Sequence, residues 1–189
     1  MNTHFADELH RRATLAMQTG LADADGQGER VPVSQYTSDE QTAQELRLLR
    51  QFPQPVAGSS SIPSPGAWLS LTQFGVPLLL VRQTDGAIHA FINVCRHRGA
   101  RVVPEGSGTE ARAFTCPYHA WTYQPDGGLR GVPDSFGFPC LKKEDSGLKR
   151  LAAAERGGVI WVVLDPASPI SDIDTHLGPL MENLESLDG

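Results

Sequence analysis

The chain has 189 residues, 40% of them hydrophobic and 20% charged, the balance of a soluble globular protein with one good domain and appendages. Sixteen basic against twenty-two acidic residues leave a formal charge of −6, which argues against general nucleic-acid binding. The longest aliphatic run, Val76 to Val81, is broken by Pro77 and far too short to span a bilayer; residues 1–20 lack a signal peptide's apolar centre, and three cysteines make no disulfide framework, so the chain reads as cytoplasmic with no membrane partner.

Residues 1–52 read as a polar helical arm. One helix is expected from about Thr3 to Gln18, and a second from a capping box at Ser38 and Gln41 through about Arg50, with a loop rich in Asp and Gly at Ala22 to Glu29 between them. Pro53, Pro55, Pro63 and Pro65 then mark an extended lead into the main domain, 53–165. Short apolar runs split by turn residues follow, at Trp68–Gln73, Val76–Gln83, Ala87–Ile92, Ala111–Thr115, Trp121–Gln124 and Val159–Leu164. They predict a small, mainly β domain, with hairpin turns at Thr84-Asp85-Gly86 and Pro125-Asp126-Gly127-Gly128. Residues 166–189 read as a helical tail, N-capped by Ser171, running to about Leu187 and broken at Pro179.

Two Cys/His pairs carry the chemistry. Cys95-Arg96-His97-Arg98-Gly99 and Cys116-Pro117-Tyr118-His119 are the arrangement that holds a Rieske [2Fe-2S] cluster, in which two histidines replace two cysteines on one iron. Soft thiolates suit iron bridged by sulfide, and neutral imidazoles remove two negative charges from the second iron, which raises its potential. Cys95 and Cys116 are then assigned to the inner iron, and His97 and His119 to the outer one. Gly99 can take a positive φ just past the first pair, and Pro117 fixes φ in the second. Structural zinc sites use wider spacings and seldom interleave the ligand types in this way, so zinc is the weaker reading. Cys140 has no partner at ligand spacing and reads as a small buried thiol; His89, in a strand, reads as surface or packing.

From Trp68 to Leu164 the sequence resembles the large (α) subunits of Rieske non-haem iron ring-hydroxylating oxygenases. The match rests on Asp85-Gly86, Asn93-Val94-Cys95-Arg96-His97-Arg98-Gly99 and Cys116-Pro117-Tyr118-His119-Ala120-Trp121-Thr122-Tyr123. Ala120 stands where glycine is usual in that family. Respiratory Rieske proteins carry an extra cysteine in each loop and a serine hydroxyl on the cluster; Ala100, Tyr118 and Trp121 occupy those positions here. With no hydroxyl at 121, the resemblance implies a midpoint at the low end of the Rieske range, about −150 mV.

The resemblance implies a Rieske-type antiparallel β-sandwich or barrel with two cluster loops and flanking helices. Its function would be one-electron transfer: a ferredoxin or reductase supplies electrons drawn from NAD(P)H, and a mononuclear iron in a catalytic domain, of the same or a neighbouring subunit of a homo-oligomer such as a trimer, receives them. That iron needs two histidines and a carboxylate. Apart from His97 and His119 the chain has His4, His10, His89 and His176, scattered along its length, so no catalytic residue is assigned to it. The reading is the electron-relay part of an oxygenase α subunit. The alternatives are a free-standing Rieske ferredoxin-type carrier and, from another class, a zinc-stabilised interaction module. Arg96, Arg98 and Arg101 beside the first loop could steer an acidic ferredoxin.

Overall fold

The structure is a computed structural model that describes residues 3–20, 30–178 and 180; the expected loop at 22–29 lies outside them, as does all but Leu180 of the tail beyond Gly178. The chain divides into two compact units, 1–44 and 45–189. Helix α1 spans Thr3–Thr19, a short α2 spans Ser34–Thr37, and α3 spans Asp39–Gln51, beginning in the first unit and ending in the second. Ser38 caps α3 as expected, its Oγ accepting from the Gln41 N–H at 3.3 Å. Asp39 and Glu40 in its first turn and Arg50 in its last turn complement the helix dipole.

The second unit is built of antiparallel strands: β1 (Pro53–Gly58), β2 (Trp68–Gln73), β3 (Val76–Arg82), β4 (Ile88–Ile92), β5 (Gly106–Gly108), β6 (Phe114–Thr115), β7 (Thr122–Tyr123), β8 (Leu129–Gly131), β9 (Arg150–Leu151), β10 (Ala153–Arg156) and β11 (Val159–Val163). They form a five-stranded sheet in the order β5-β2-β3-β4-β9, a three-stranded sheet β1-β11-β10, and a small three-stranded sheet β6-β7-β8. The mainly β fold expected from the sequence is the fold found.

The five-stranded sheet is the middle layer, and the residues of β3 and β4 face two ways. Leu78, Leu80, Ile88 and Ala90 join Ile160 and Val162 of β11 in one core. Leu79, Val81 and Phe91 join Phe114, Tyr123 and Leu129 of the small sheet, and Trp121 just before β7, in the other. Burial on both faces is why β3 reads as an unbroken apolar run and does not alternate. A second tie joins the middle layer to the outer sheet: the Arg82 guanidinium grips the Glu155 carboxylate of β10 at 2.5 and 2.9 Å while its Nε donates to the Ile62 carbonyl at 2.8 Å. This two-pronged geometry is the strong form of the charge-assisted bond.

Three expectations need correction. Pro53–Gly58 is not a linker but strand β1, which pairs with β11 alone, so its prolines lie on a sheet edge where a missing N–H leaves no ladder bond unmade. The C-terminal helix α4 is Ile173–Leu177, and Asp172, not Ser171, caps it by accepting from the Thr175 N–H at 3.2 Å. Cys140 is exposed, not buried.

Both expected hairpin turns are present, and the one between β7 and β8 fixes the small sheet onto the middle layer. Gly127 in that turn has φ +89°, and a Cβ there would clash with the edge of the Phe91 ring. Its carbonyl accepts from the Leu148 N–H at 2.8 Å, and the neighbouring Pro125 carbonyl accepts from Gln83 Nε2 at 2.9 Å. Only glycine satisfies both the backbone angle and the close approach. Gly127→Ala is therefore expected to destabilise the fold by about 2–4 kcal/mol, read from the urea midpoint at unchanged slope.

Candidate metal centre

The two loops that carry the Cys/His pairs close by the same pair of backbone bonds. In the first, the Cys95 N–H donates to the Ala100 carbonyl at 2.7 Å and the Gly99 N–H to the Cys95 carbonyl at 3.0 Å; in the second, the Cys116 N–H donates to the Trp121 carbonyl at 2.8 Å and the Ala120 N–H to the Cys116 carbonyl at 3.0 Å. In each loop the residue four after the cysteine turns left-handed, Gly99 at φ +75° and Ala120 at φ +56°. Gly99 adopts this angle without penalty. Ala120 adopts it against a Cβ clash of about 1–2 kcal/mol.

Each loop is anchored where it leaves the core. Asn93, wholly buried, ends the β4 side of the first loop and holds the far side: its Oδ1 accepts from the N–H groups of Val102 and Val103 at 3.2 and 3.0 Å, and its Nδ2 donates to the Val103 carbonyl at 2.7 Å and to Ser70 Oγ at 2.8 Å. Every polar atom of the amide is used, so this buried group stabilises the loop it closes. The second loop is the connection between paired strands β6 and β7, with Thr115 opposite Thr122.

The four side chains are graded in depth. Cys95 and Cys116 are 3% and 2% exposed and lie within the core between the middle and small sheets. His97 is half-buried and His119 exposed. The two imidazole centroids are 4.7 Å apart, so the structure brings both loops together as the sequence reading requires. Buried His97 Nδ1 has no hydrogen-bond partner. Burial first, then the proximity of His119 and Arg98, lowers the His97 pKa and favours the neutral ring. A neutral imidazole with a free inward nitrogen beside two buried thiols is the donor set that a [2Fe-2S] centre with two thiolates and two imidazoles takes. Among the described residues no three His, Cys, Asp or Glu side chains gather around a single ion position. Two irons holding two protein ligands each need no such group.

A residue that sequence reasoning passed over completes the site. Tyr123 is fully buried on β7, its hydroxyl accepting from the Arg96 N–H at 2.9 Å and lying 3.2 Å from Cys95 Sγ. Either group can donate while Cys95 is a thiol; a deprotonated Cys95 could only accept from the Tyr123 hydroxyl. Burial, followed by the Cys95 contact, drives the phenol pKa far up, so it remains a donor at any ordinary pH. Tyr123 thus places a hydroxyl against the Cys95 sulfur two residues beyond Trp121. The signal was available in the alternation of Trp121, Thr122 and Tyr123, which puts the residues at 121 and 123 on one face.

The remaining described histidines are assigned no catalytic role. His89 packs edge-on to Phe91 at 6.1 Å, His176 tilts over Phe52 at 5.2 Å, and His10 is on α1. Among the described helices none is long and apolar enough to cross a membrane.

Residues 52–142 match the Rieske [2Fe-2S] domain family. The chain is 44% identical over 121 residues to the chlorobenzene dioxygenase α subunit of a Cupriavidus species, an alignment covering 63% of this chain and 26% of that protein. It is 36% identical over 141 residues to the glycine betaine monooxygenase oxygenase subunit of Chromohalobacter salexigens, covering 69% and 30%. Among solved structures, a quaternary ammonium Rieske monooxygenase superposes with a TM-score of 0.74 at 28% identity, covering 83% of this chain and 43% of that one. Naphthalene 1,2-dioxygenase from a Rhodococcus species superposes at 0.71 with 30% identity, covering 82% and 36%. The chain thus spans about a quarter to a third of the length of the curated relatives it matches.

Two outcomes test the geometry. Ala120→Gly should raise stability by about 1 kcal/mol by removing the left-handed strain, seen as a higher urea midpoint. Tyr123→Phe should lower the midpoint potential by roughly 60 mV, the shift that a tenfold change in a one-electron equilibrium produces; an unchanged potential would mean that the hydroxyl does not bond to the cluster's sulfur.

Proposed function

Because the chain carries a Rieske [2Fe-2S] domain and with it a cluster of that type, we propose that Cys95 and Cys116 hold its inner iron and His97 and His119 its outer iron, and that the chain relays single electrons within an oxygenase. The observation that carries the reading is the grading of the four side chains: both thiols are sealed in the core, while both imidazoles lie together at the surface end with the His97 nitrogen unengaged. When bound, the cluster supplies reversible one-electron chemistry.

The chain's own residues have three tasks. Leu79, Val81, Phe91, Phe114 and Leu129 keep water from the thiols. Tyr123 donates a hydrogen bond to the Cys95 sulfur, which favours the more negative state. His119, exposed, presents an imidazole edge through which an outside donor or acceptor couples. The similarity to α subunits supports a ferredoxin or reductase as donor, a mononuclear iron in a catalytic domain of the same or a neighbouring subunit as acceptor, a homo-oligomer, and a cytoplasmic setting. It also supports a chain organised as an arm at 1–52, a cluster domain at 53–165 and a tail leading towards that catalytic domain.

Purified chain should contain two irons and two labile sulfides, accept one electron from dithionite and return it to an oxidant. Replacing either His97 or His119 with alanine should abolish or convert the cluster. Incubated reduced with oxygen, ferrous iron and aromatic or alkylammonium compounds, the 189-residue chain should yield no hydroxylated product. Stoichiometric zinc without visible absorption would replace the relay by a zinc-stabilised module; product at single-turnover yield would reveal a complete oxygenase.

A further inference from the structure

The two histidines occupy unequal surroundings. The Trp121 indole, 4% exposed, lies parallel to the His97 ring at 6° with centroids 5.0 Å apart. Phe138 meets both rings edge-on, at 5.5 Å and 86° to His97 and at 5.6 Å and 83° to Trp121. His97 is thus held on one face by an indole and along a second direction by a phenyl ring, with His119 on a third at 4.7 Å and 68°. His119 is exposed, and among the aromatic ring pairs of the described residues its other neighbour is Tyr118, the adjacent residue of its own loop, at 3.8 Å and 33°.

Trp121 is itself fixed in place. Its carbonyl accepts the Cys116 N–H that closes the second loop, and its ring packs in the core that contains both thiols. It is therefore part of one ligand loop and stacks on a histidine of the other. A parallel stack restricts the one freedom that loop closure leaves to a surface imidazole, rotation of its plane about the bond to Cβ. An aromatic pair of this kind biases such an equilibrium by roughly two- to tenfold. An imidazole bound to ferric iron also loses electron density, and an indole face favours an electron-poor partner.

We propose that Trp121 is a positioning residue for the cluster: it clamps the His97 imidazole in a single plane from the opposite loop and would hold that ring in one orientation towards the outer iron, while the ring beside His119, Tyr118, is exposed and belongs to its own loop. This rests on the assignment of His97 and His119 as ligands in the function proposed above. Its consequence is an asymmetric centre, with one rigid imidazole and one that adjusts to whatever docks against it.

The test compares the full chain with its Trp121→Phe, Trp121→Met and Trp121→Leu variants. Iron and sulfide are assayed first, then midpoint potential, and then pulsed electron paramagnetic resonance of the dithionite-reduced cluster. Wild type should show two nitrogen couplings, a sharp one from the clamped His97 and a broader one from His119. Trp121→Phe, which keeps a ring, should retain both. Trp121→Met, which keeps a flexible apolar side chain but no plane, should keep two irons yet lose the sharpness of the His97 coupling and raise the midpoint, since the stack that favours the oxidised state is gone. Trp121→Leu should do the same; if it fails to load, the Met variant decides. A sharp, unchanged His97 coupling and an unchanged potential in a loaded Met variant would overturn the clamp and leave Trp121 as core packing. Absence of any nitrogen coupling in wild type would instead overturn the ligand assignment on which the clamp rests.

Discussion

Closure of two short loops by main-chain bonds from their own cysteines is the constraint on which the rest of this structure depends. A cysteine N–H reaching the carbonyl five residues on, with a left-handed residue between, bends each loop so that its thiol turns inward and its histidine outward. One such loop would expose its cysteine. Two, facing each other across the core between the middle and small sheets, bury both sulfurs and bring both imidazoles to one end. The near-identity of the two closures explains how two loops of different spacing, Cys-x-His and Cys-x2-His, each bury a thiol and bring an imidazole to the same end.

The larger architecture serves to hold these loops still. The middle sheet contributes Asn93 at the end of β4 as the staple for the first loop. It also contributes Phe91 as the surface on which the turn at Gly127 rests, and that turn positions β7, from which Tyr123 reaches the Cys95 sulfur. Stability on the remote side of the sheet, where Arg82 and Glu155 join the outer layer, is thereby linked to the site through strands buried on both faces.

Much of this was legible in the sequence. Metal-ligand spacing is local, so the four candidates could be named from the sequence, and the structure buries the two cysteines and brings the two histidines together; β2 carries a pattern strong enough to place it to the residue. What escaped was set by partners distant in sequence. Strand β5 is Gly-Ser-Gly, with no strand pattern of its own, and exists because β2 offers it an edge. Prolines at 53 and 55 read as linker because no local rule announces that β11 lies alongside. Ala120 looked like a harmless departure from glycine, yet only the backbone shows that it carries a positive φ. Tyr123 was legible as a β7 residue but not as a sulfur's hydrogen-bond donor, a role that depends on where the first loop folds.

The central claim is that this chain holds two irons in chemically different environments, one between Cys95 and Cys116 and one between His97 and His119. Mössbauer spectroscopy of the iron-loaded chain, oxidised and then reduced by one electron, tests it directly. The account predicts two distinguishable ferric sites in the oxidised protein and, after reduction, a ferrous signal confined to one of them, the imidazole-bound site that lacks the negative thiolates. Two equivalent sites, or an electron shared evenly between them, would contradict it.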